Sequence, residues 1–201
     1  MIAIIDYDAG NVKSVQNALK KLGFEAVITS DIETIKNAEK VIFPGVGEAS
    51  SAMKKLQERG LDAVIPNLKQ PVLGICLGMQ LMCNASEEGN TKALGIFDCE
   101  VKLFPNSDIV PHMGWNNVSE MKGKLLENIS DTDNFYFVHS YYAEVGESTT
   151  SVCDYITPFS ATLEKDNFFA AQFHPEKSGD AGFKLLENFL EVRSTRLEVR
   201  S

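Results

Sequence analysis

The chain has 201 residues, 44% apolar and 23% charged, and its 19 Lys and Arg against 28 Asp and Glu leave a net charge of −9. That length fits one domain or two small ones, and a chain of this size buries roughly 70% of its unfolded surface without staples. The acidic balance, with no long basic run, argues against non-specific nucleic-acid binding and against docking on an anionic membrane. The opening run Met1 to Ile5 carries no basic residue, and Asp6 ends it too early for a secretory signal. The longest mostly apolar stretch, the 13 residues from Pro71 to Cys83, is too short to span a bilayer and contains Gln80. Cys76, Cys83, Cys99 and Cys153 form no C-x-x-C pair, so neither a zinc ribbon nor a disulfide framework is expected. Reduced thiols in the cytoplasm, with no metal, are the expectation.

The first half alternates strands and helices. Ile2 to Ile5 is a continuous apolar run, as in a strand covered on both faces, and Asp6 to Asn11 is a polar turn. Val12, Val15, Leu19 and Leu22 recur at helical spacing until Gly23 stops them. A strand over Glu25 to Thr29, a short helix over Asp31 to Ala38 and a strand over Val41 to Phe43 follow, the last ending in Pro44-Gly45-Val46-Gly47. Ala52 to Arg59 reads as helix and Val72 to Ile75 as a buried strand, with a helical pattern through Leu77, Leu81 and Met82 directly after it. This alternation predicts an α/β fold with a mostly parallel sheet flanked by helices. In the second half Ile96 to Phe104, Phe135 to Val138, Tyr142 to Val145, Phe159 to Leu163 and Phe168 to Gln172 read as strands with little helix between, an antiparallel addition. A last helix runs from about Ala181 to Val192. One domain is expected over 1–192, with 193–201 a disordered or cloning-derived tail; Leu190 to Ser194 recurs as Leu197 to Ser201 and receives no function.

The strongest local feature is Gly74-Ile75-Cys76-Leu77-Gly78, where an apolar strand meets a helix. A sharp turn there pushes the central side chain out of the sheet, as in a nucleophile elbow with Cys in place of Ser. The helix dipole favours thiolate, and the Leu77 N–H would point at the oxygen of an attacked carbonyl. On its own the pentapeptide fits a buried structural cysteine equally well. His174, in Gln172-Phe173-His174-Pro175-Glu176, supplies a candidate base, and Glu176 can hold its tautomer as the carboxylate of a triad does. An isolated His-Pro-Glu also fits a solvated loop; the two independent motifs together favour a Cys–His–Glu triad. The glycines of Pro44 to Gly47 permit an exposed N–H for a second oxyanion donor. His139 reads as structural, His112 as a histidine bordering a partner face or satisfied in a loop, and Cys83, Cys99 and Cys153 as small core residues.

In this order and at these separations the motifs resemble the class I (triad) glutamine amidotransferases. The resemblance is carried by Ile4 to Asn11, Phe43 to Gly47, Gly74 to Leu81, Pro111 to Asn116, Phe135 to Tyr142 and Gln172 to Gly179. The fourth and fifth of these resemble more specifically the histidine-biosynthesis branch. The resemblance implies a flavodoxin-like fold and a glutaminase that needs no cofactor. It implies Cys76 as nucleophile on the glutamine side-chain amide, His174 as the base that then protonates ammonia, and Glu176 as its orienting partner. It places Val46 and Gly47, with Leu77, at the oxyanion hole, the peptide at Val46 being the one that flips. Gln80, Glu88 and the backbone of Ser140 and Tyr141 would hold the glutamine. A (β/α)8-barrel cyclase would receive the ammonia through a channel and make imidazole glycerol phosphate and an aminoimidazole carboxamide ribotide. Trp115, Asn116, Tyr136 and Lys177 match positions facing that partner, and the glutaminase would idle until the partner holds its ligand. Asp8 and Ile156 stand where the family usually has Gly, and Glu48 and Ser50 where small and aromatic residues are common. Three alternatives stay open: a paralogue serving surface-sugar amidation, a non-catalytic regulator, and a Cys peptidase on the same scaffold.

Overall fold

A computed structural model describes residues 1–193. The expected tail beyond Arg193 and the second copy of the Leu190 to Ser194 repeat lie outside the described residues. In chain order the elements are β1 (Ile2–Ile5), α1 (Val12–Lys21), β2 (Ala26–Thr29), α2 (Ile32–Asn37), β3 (Lys40–Gly45), α3 (Ala49–Glu58), α4 (Leu61–Val64), β4 (Val72–Cys76) and α5 (Leu77–Leu81). There follow β5 (Ala85–Ser86), β6 (Thr91–Lys92), β7 (Glu100–Leu103), β8 (His112–Asn117), β9 (Asn134–His139), β10 (Tyr141–Ala143), β11 (Thr149–Asp154), β12 (Pro158–Lys165), β13 (Phe168–Ala171) and α6 (Gly179–Glu191).

The main sheet has seven strands in the order β11-β12-β13-β4-β3-β1-β2. Strands β2, β1, β3, β4 and β13 run parallel, and β12 and β11 extend the sheet antiparallel. Read from β2, the five parallel strands have the doubly wound order 2-1-3-4-5, whose ligand crevice lies outside the carboxyl ends of the strands. Helices cover both faces. Val15, Ala18 and Leu19 of α1 pack in one cluster with Leu185, Leu186 and Phe189 of α6. Ala52, Met53 and Leu56 of α3 pack in the other with Ile35 of α2 and Met79 and Leu81 of α5. A four-stranded sheet, β10-β7-β5-β6, and a hairpin-like pair, β8-β9, complete the second half. No described helix is long and apolar enough to cross a membrane.

The structure departs from the sequence reading at several elements. The apolar run from Ile96 is strand only over Glu100–Leu103. Gly95 turns the chain at φ 66, and the amides of Ile96 and Phe97 both donate to the Met82 carbonyl at 2.9 Å, closing the end of α5. The strand expected over Tyr142 to Val145 sits at Tyr141–Ala143. Helix α3 starts three residues earlier than expected because the Glu48 carboxylate caps it, accepting from the Ser50 and Ser51 amides. Two substantial strands carry no apolar alternation to reveal them. In β11 the hydroxyls of Thr149, Thr150 and Ser151 are buried and bond Ser160 and Thr162 of β12 at 2.7 to 2.8 Å. In β8 the usual polarity is inverted, with His112 buried while Met113 and Trp115 are exposed.

Candidate active site

The carboxyl ends of β3 and β4 and the turn after β13 converge on a cleft of about 370 Å³. Cys76 stands at its floor in a left-handed conformation, φ 54 and ψ −112, that a non-glycine residue adopts only under strain of about 1–3 kcal/mol. The flanking glycines permit this elbow. A Cβ on Gly74 would lie 2.4 Å from the Met82 sulfur, and one on Gly78 would lie 1.9 Å from the Phe43 carbonyl oxygen. Leu77 opens α5, so its amide has no intrahelical acceptor, and the residue lines the cleft next to Cys76.

His174 lines the same cleft, and its Nδ1 lies 2.9 Å from Glu176 Oε1. Both side chains are buried, at 3% and 1% exposure. The backbone turn that carries them is stitched to β9: the His174 amide donates to Tyr136 O at 3.0 Å, and the Tyr136 amide donates to Ser178 Oγ at 2.9 Å. Burial alone would push the imidazole pKa down. The Cys76 sulfur and the Glu176 carboxylate outweigh it, and the pKa rises to about 10. The Nε2 atom has no hydrogen-bond partner among the described side chains other than what that sulfur offers. The imidazole is therefore held between the Cys76 sulfur and the Glu176 carboxylate, the order of a cysteine nucleophile, its base and an orienting acid.

The remaining residues singled out in the sequence fall around this centre. Val46, Gly47, Gln80, Glu88, Ser140 and Tyr141 all line the cleft. Gln80 donates both amide hydrogens inward, to Tyr141 O at 2.8 Å and Gln172 Oε1 at 3.0 Å, which leaves only its carbonyl oxygen to accept. Glu88 spends one carboxylate oxygen on the Ala49 amide at 2.8 Å, and burial raises its pKa against that bond. The Val46 amide donates to Ala9 O at 3.4 Å, so this donor is engaged away from the sulfur. Trp115 packs edge-on to Tyr136 at 6.0 Å, and Lys177 Nζ lies 5.9 Å over the Tyr136 ring; these three share an outer face. The Asn116 side chain turns to the other side, within reach of Asp154 O and His112.

Two side chains escaped the sequence reading or stand elsewhere than expected. Gln172 is fully buried, accepts from Gln80 and places Nε2 3.8 Å from the Cys76 sulfur as a donor to it; its only sequence signal is an amide closing an apolar strand two residues before His174. His112, for which a loop position is one of the two expectations, is a buried strand residue bonded to His139. Cys83 and Cys153 are buried, and Cys99 brings its sulfur to 3.4 Å from that of Cys83.

The chain belongs to the class-I glutamine amidotransferases, whose family pattern it matches over residues 3–192. Two solved structures share the fold: a glutamine amidotransferase, at TM-score 0.73 and 20% identity with 95% of this chain and 98% of that one covered, and PurLQS from Thermotoga maritima, at 0.70 and 16% with 94% and 96% covered. Within the class the chain falls among the proteins called imidazole glycerol phosphate synthase subunit HisH. It is 59% identical to that of Bacteroides fragilis (strain YCH46) and 55% identical to that of Bacteroides thetaiotaomicron, each over 95% of this chain and 99% of the relative. Against the subunit from Vibrio parahaemolyticus identity is 45%, over 95% of this chain and 98% of the relative.

Proposed function

We propose that this chain, as one domain over residues 1–192, is the glutaminase subunit of an imidazole glycerol phosphate synthase. The observation that carries the reading is one cleft holding Cys76 at a strained elbow beside a charged His174 braced by Glu176. The Cys76 sulfur attacks the carbonyl carbon of the glutamine side-chain amide. The Leu77 amide, and the Val46 amide once it leaves Ala9 O, stabilise the oxyanion, with Gly47 completing the loop. His174 gives its Nε2 proton to the departing ammonia and leaves a thioester on Cys76. It then takes a proton from water, whose attack releases glutamate and restores the thiolate–imidazolium pair. The carbonyl oxygen of Gln80 and the second carboxylate oxygen of Glu88 suit the substrate ammonium, and the backbone of Ser140 and Tyr141 receives its carboxylate.

The proposed partner is a (β/α)8-barrel cyclase docked on the outer face of β8 and β9, around Trp115, Tyr136 and Lys177, with Asn116 at the margin. Ammonia would reach it without meeting solvent and feed formation of imidazole glycerol phosphate and the carboxamide ribotide. The setting is the cytoplasm, whose reducing conditions a thiolate nucleophile requires. The names of the relatives favour this reading over the surface-sugar paralogue. In the complex, Cys76→Ala should abolish turnover driven by glutamine and leave turnover driven by ammonium salts. Glutamine-driven turnover that survived the substitution would overturn the assignment of the nucleophile.

A further inference from the structure

The mechanism leaves two buried histidines unused. His112 and His139 oppose each other in the β8–β9 register and are 4% and 6% exposed. Their hydrogen bonds admit one direction only. The Tyr141 carbonyl can only accept, so His139 Nδ1 carries the proton and donates to it at 2.8 Å. In a neutral ring His139 Nε2 then accepts, and His112 Nδ1 donates to it at 3.1 Å. His112 Nε2 is left as an acceptor, and the Asn116 amide nitrogen lies 3.5 Å away, the loosest link. Aromatic rings enclose the pair: Tyr155 stacks on His112 at 4.1 Å, and Phe159 and Phe104 lie 5.0 and 5.3 Å from His139. Burial pushes His112 down to about 4 and His139 to about 3, so both rings stay neutral and the direction of the chain is kept. At its far end the Tyr141 carbonyl also accepts from Gln80, which fills both lone pairs.

We propose that Asn116, His112 and His139 form a positioning relay that fixes the Tyr141 carbonyl, and with it the Ser140–Tyr141 backbone that receives the glutamine carboxylate. The relay rests on the glutamine site assigned above. None of its side chains touches the reacting atoms, so its loss weakens substrate binding and spares the chemistry. It also roots the substrate-holding backbone in β8, the strand whose opposite face carries Trp115.

The test uses the complex with its cyclase and follows glutamate release. His112→Phe keeps a ring in the aromatic box and removes donor and acceptor, whereas His112→Gln retains both in the same order. The glutamine KM should rise about tenfold in the Phe variant with kcat within about twofold, because a buried acceptor is left unpaired. The Gln variant should return near wild type, and turnover driven by ammonium salts should be unchanged in both. An unchanged KM, an equal rise in the two variants, or a loss confined to kcat overturns the relay. Independently of any variant, nitrogen NMR of the wild-type chain should find both rings as the Nδ1-protonated neutral tautomer, and an Nε2-protonated ring at either position overturns it. Cys76→Ala in the same assay separates the two readings. If it still turns over glutamine the glutaminase assignment falls, and if it does not while the Phe variant keeps its KM only the relay falls.

Discussion

The elbow depends on Gly78, and the consequence of filling it can be worked out. A Cβ at this position would meet the Phe43 carbonyl oxygen at 1.9 Å and its carbon at 3.0 Å, where real Cβ contacts below 3.0 Å essentially never occur. The obstacle is backbone of β3, fully buried and paired on both sides by β1 and β4, so no side chain can swing away. Helix α5 must therefore part from β3 by roughly 1 Å, an overpacking strain of about 3 kcal/mol. For a chain of this size that lowers the Tm by about 6–12 °C. The same shift moves the Leu77 amide relative to an oxyanion held by the sulfur, and a misplacement of about 1 Å costs on the order of 100-fold in turnover. Gly23→Ala is the control: it also has positive φ, 85, but nothing lies within 4 Å of its Cβ, so it should cost about 1–2 kcal/mol and no activity. Thermal unfolding and glutamate release by the complex measure both. If Gly78→Ala kept the wild-type Tm and turnover, close contact of α5 with β3 would not be what the glycine provides.

The charge on His174 links stability to pH. Its pKa lies above the unfolded value of 6.5, at about 10, so the stabilisation is fully present below about pH 6.5 and is lost as pH rises through about 10. The Tm of the wild type should fall across that window more steeply than that of Glu176→Gln, and parallel curves would contradict the assignment of charge. The chain without its partner should release glutamate on the order of 100-fold more slowly than the complex, since one oxyanion donor is worth about 10²–10³-fold. Equal rates with and without the cyclase would show that the Val46 amide does not need to leave Ala9.

The parallel half of the fold was legible because its signals are local, and so were the two motifs that meet at the cleft. Strands β1 and β4 are continuous apolar runs, α1 keeps helical spacing, and the two cleft motifs each fit within five residues. What stayed hidden depends on partners distant in sequence. The buried hydroxyls of β11 look like loop composition until Ser160 and Thr162 of β12 pair with them. The His112–His139 contact joins residues 27 apart across β8, a strand that inverts the apolar pattern and so could not be seen. Gln172 was quoted within a motif, but only the fold brings Gln80 and the Cys76 sulfur to its two ends. The engagement of Val46 by Ala9 is a backbone bond between two turns, and no side-chain pattern encodes it.

Three of the four departures from the family pattern, Asp8, Glu48 and Ser50, form a matched set around α3; Ile156 lies apart, between β11 and β12. Asp8, at φ 60 where glycine is usual, forms an ion pair with Arg59, and its carbonyl accepts from Lys55 Nζ at 2.7 Å. Both basic residues lie at the end of α3. At the other end Glu48 accepts from the Ser50 amide at 3.2 Å, the Ser50 hydroxyl at 2.5 Å and the Ser51 amide at 3.0 Å, while Glu88 takes the Ala49 amide. Residues replaced in the first turn and in the oxyanion loop are thus tied to one helix, and the two segments meet at the Val46–Ala9 bond. That bond is long, and a single neutral hydrogen bond contributes only about 0.5–1.5 kcal/mol net. Gly47, at φ 100 with open space where a Cβ would stand, leaves the adjoining peptide free to turn. The segments are firmly rooted and the contact between them is weak, so a coupling of about 1–3 kcal/mol from a bound partner is enough to favour the other orientation. Resting and competent states can then differ at one peptide, with Cys76, His174 and Glu176 already in place in both.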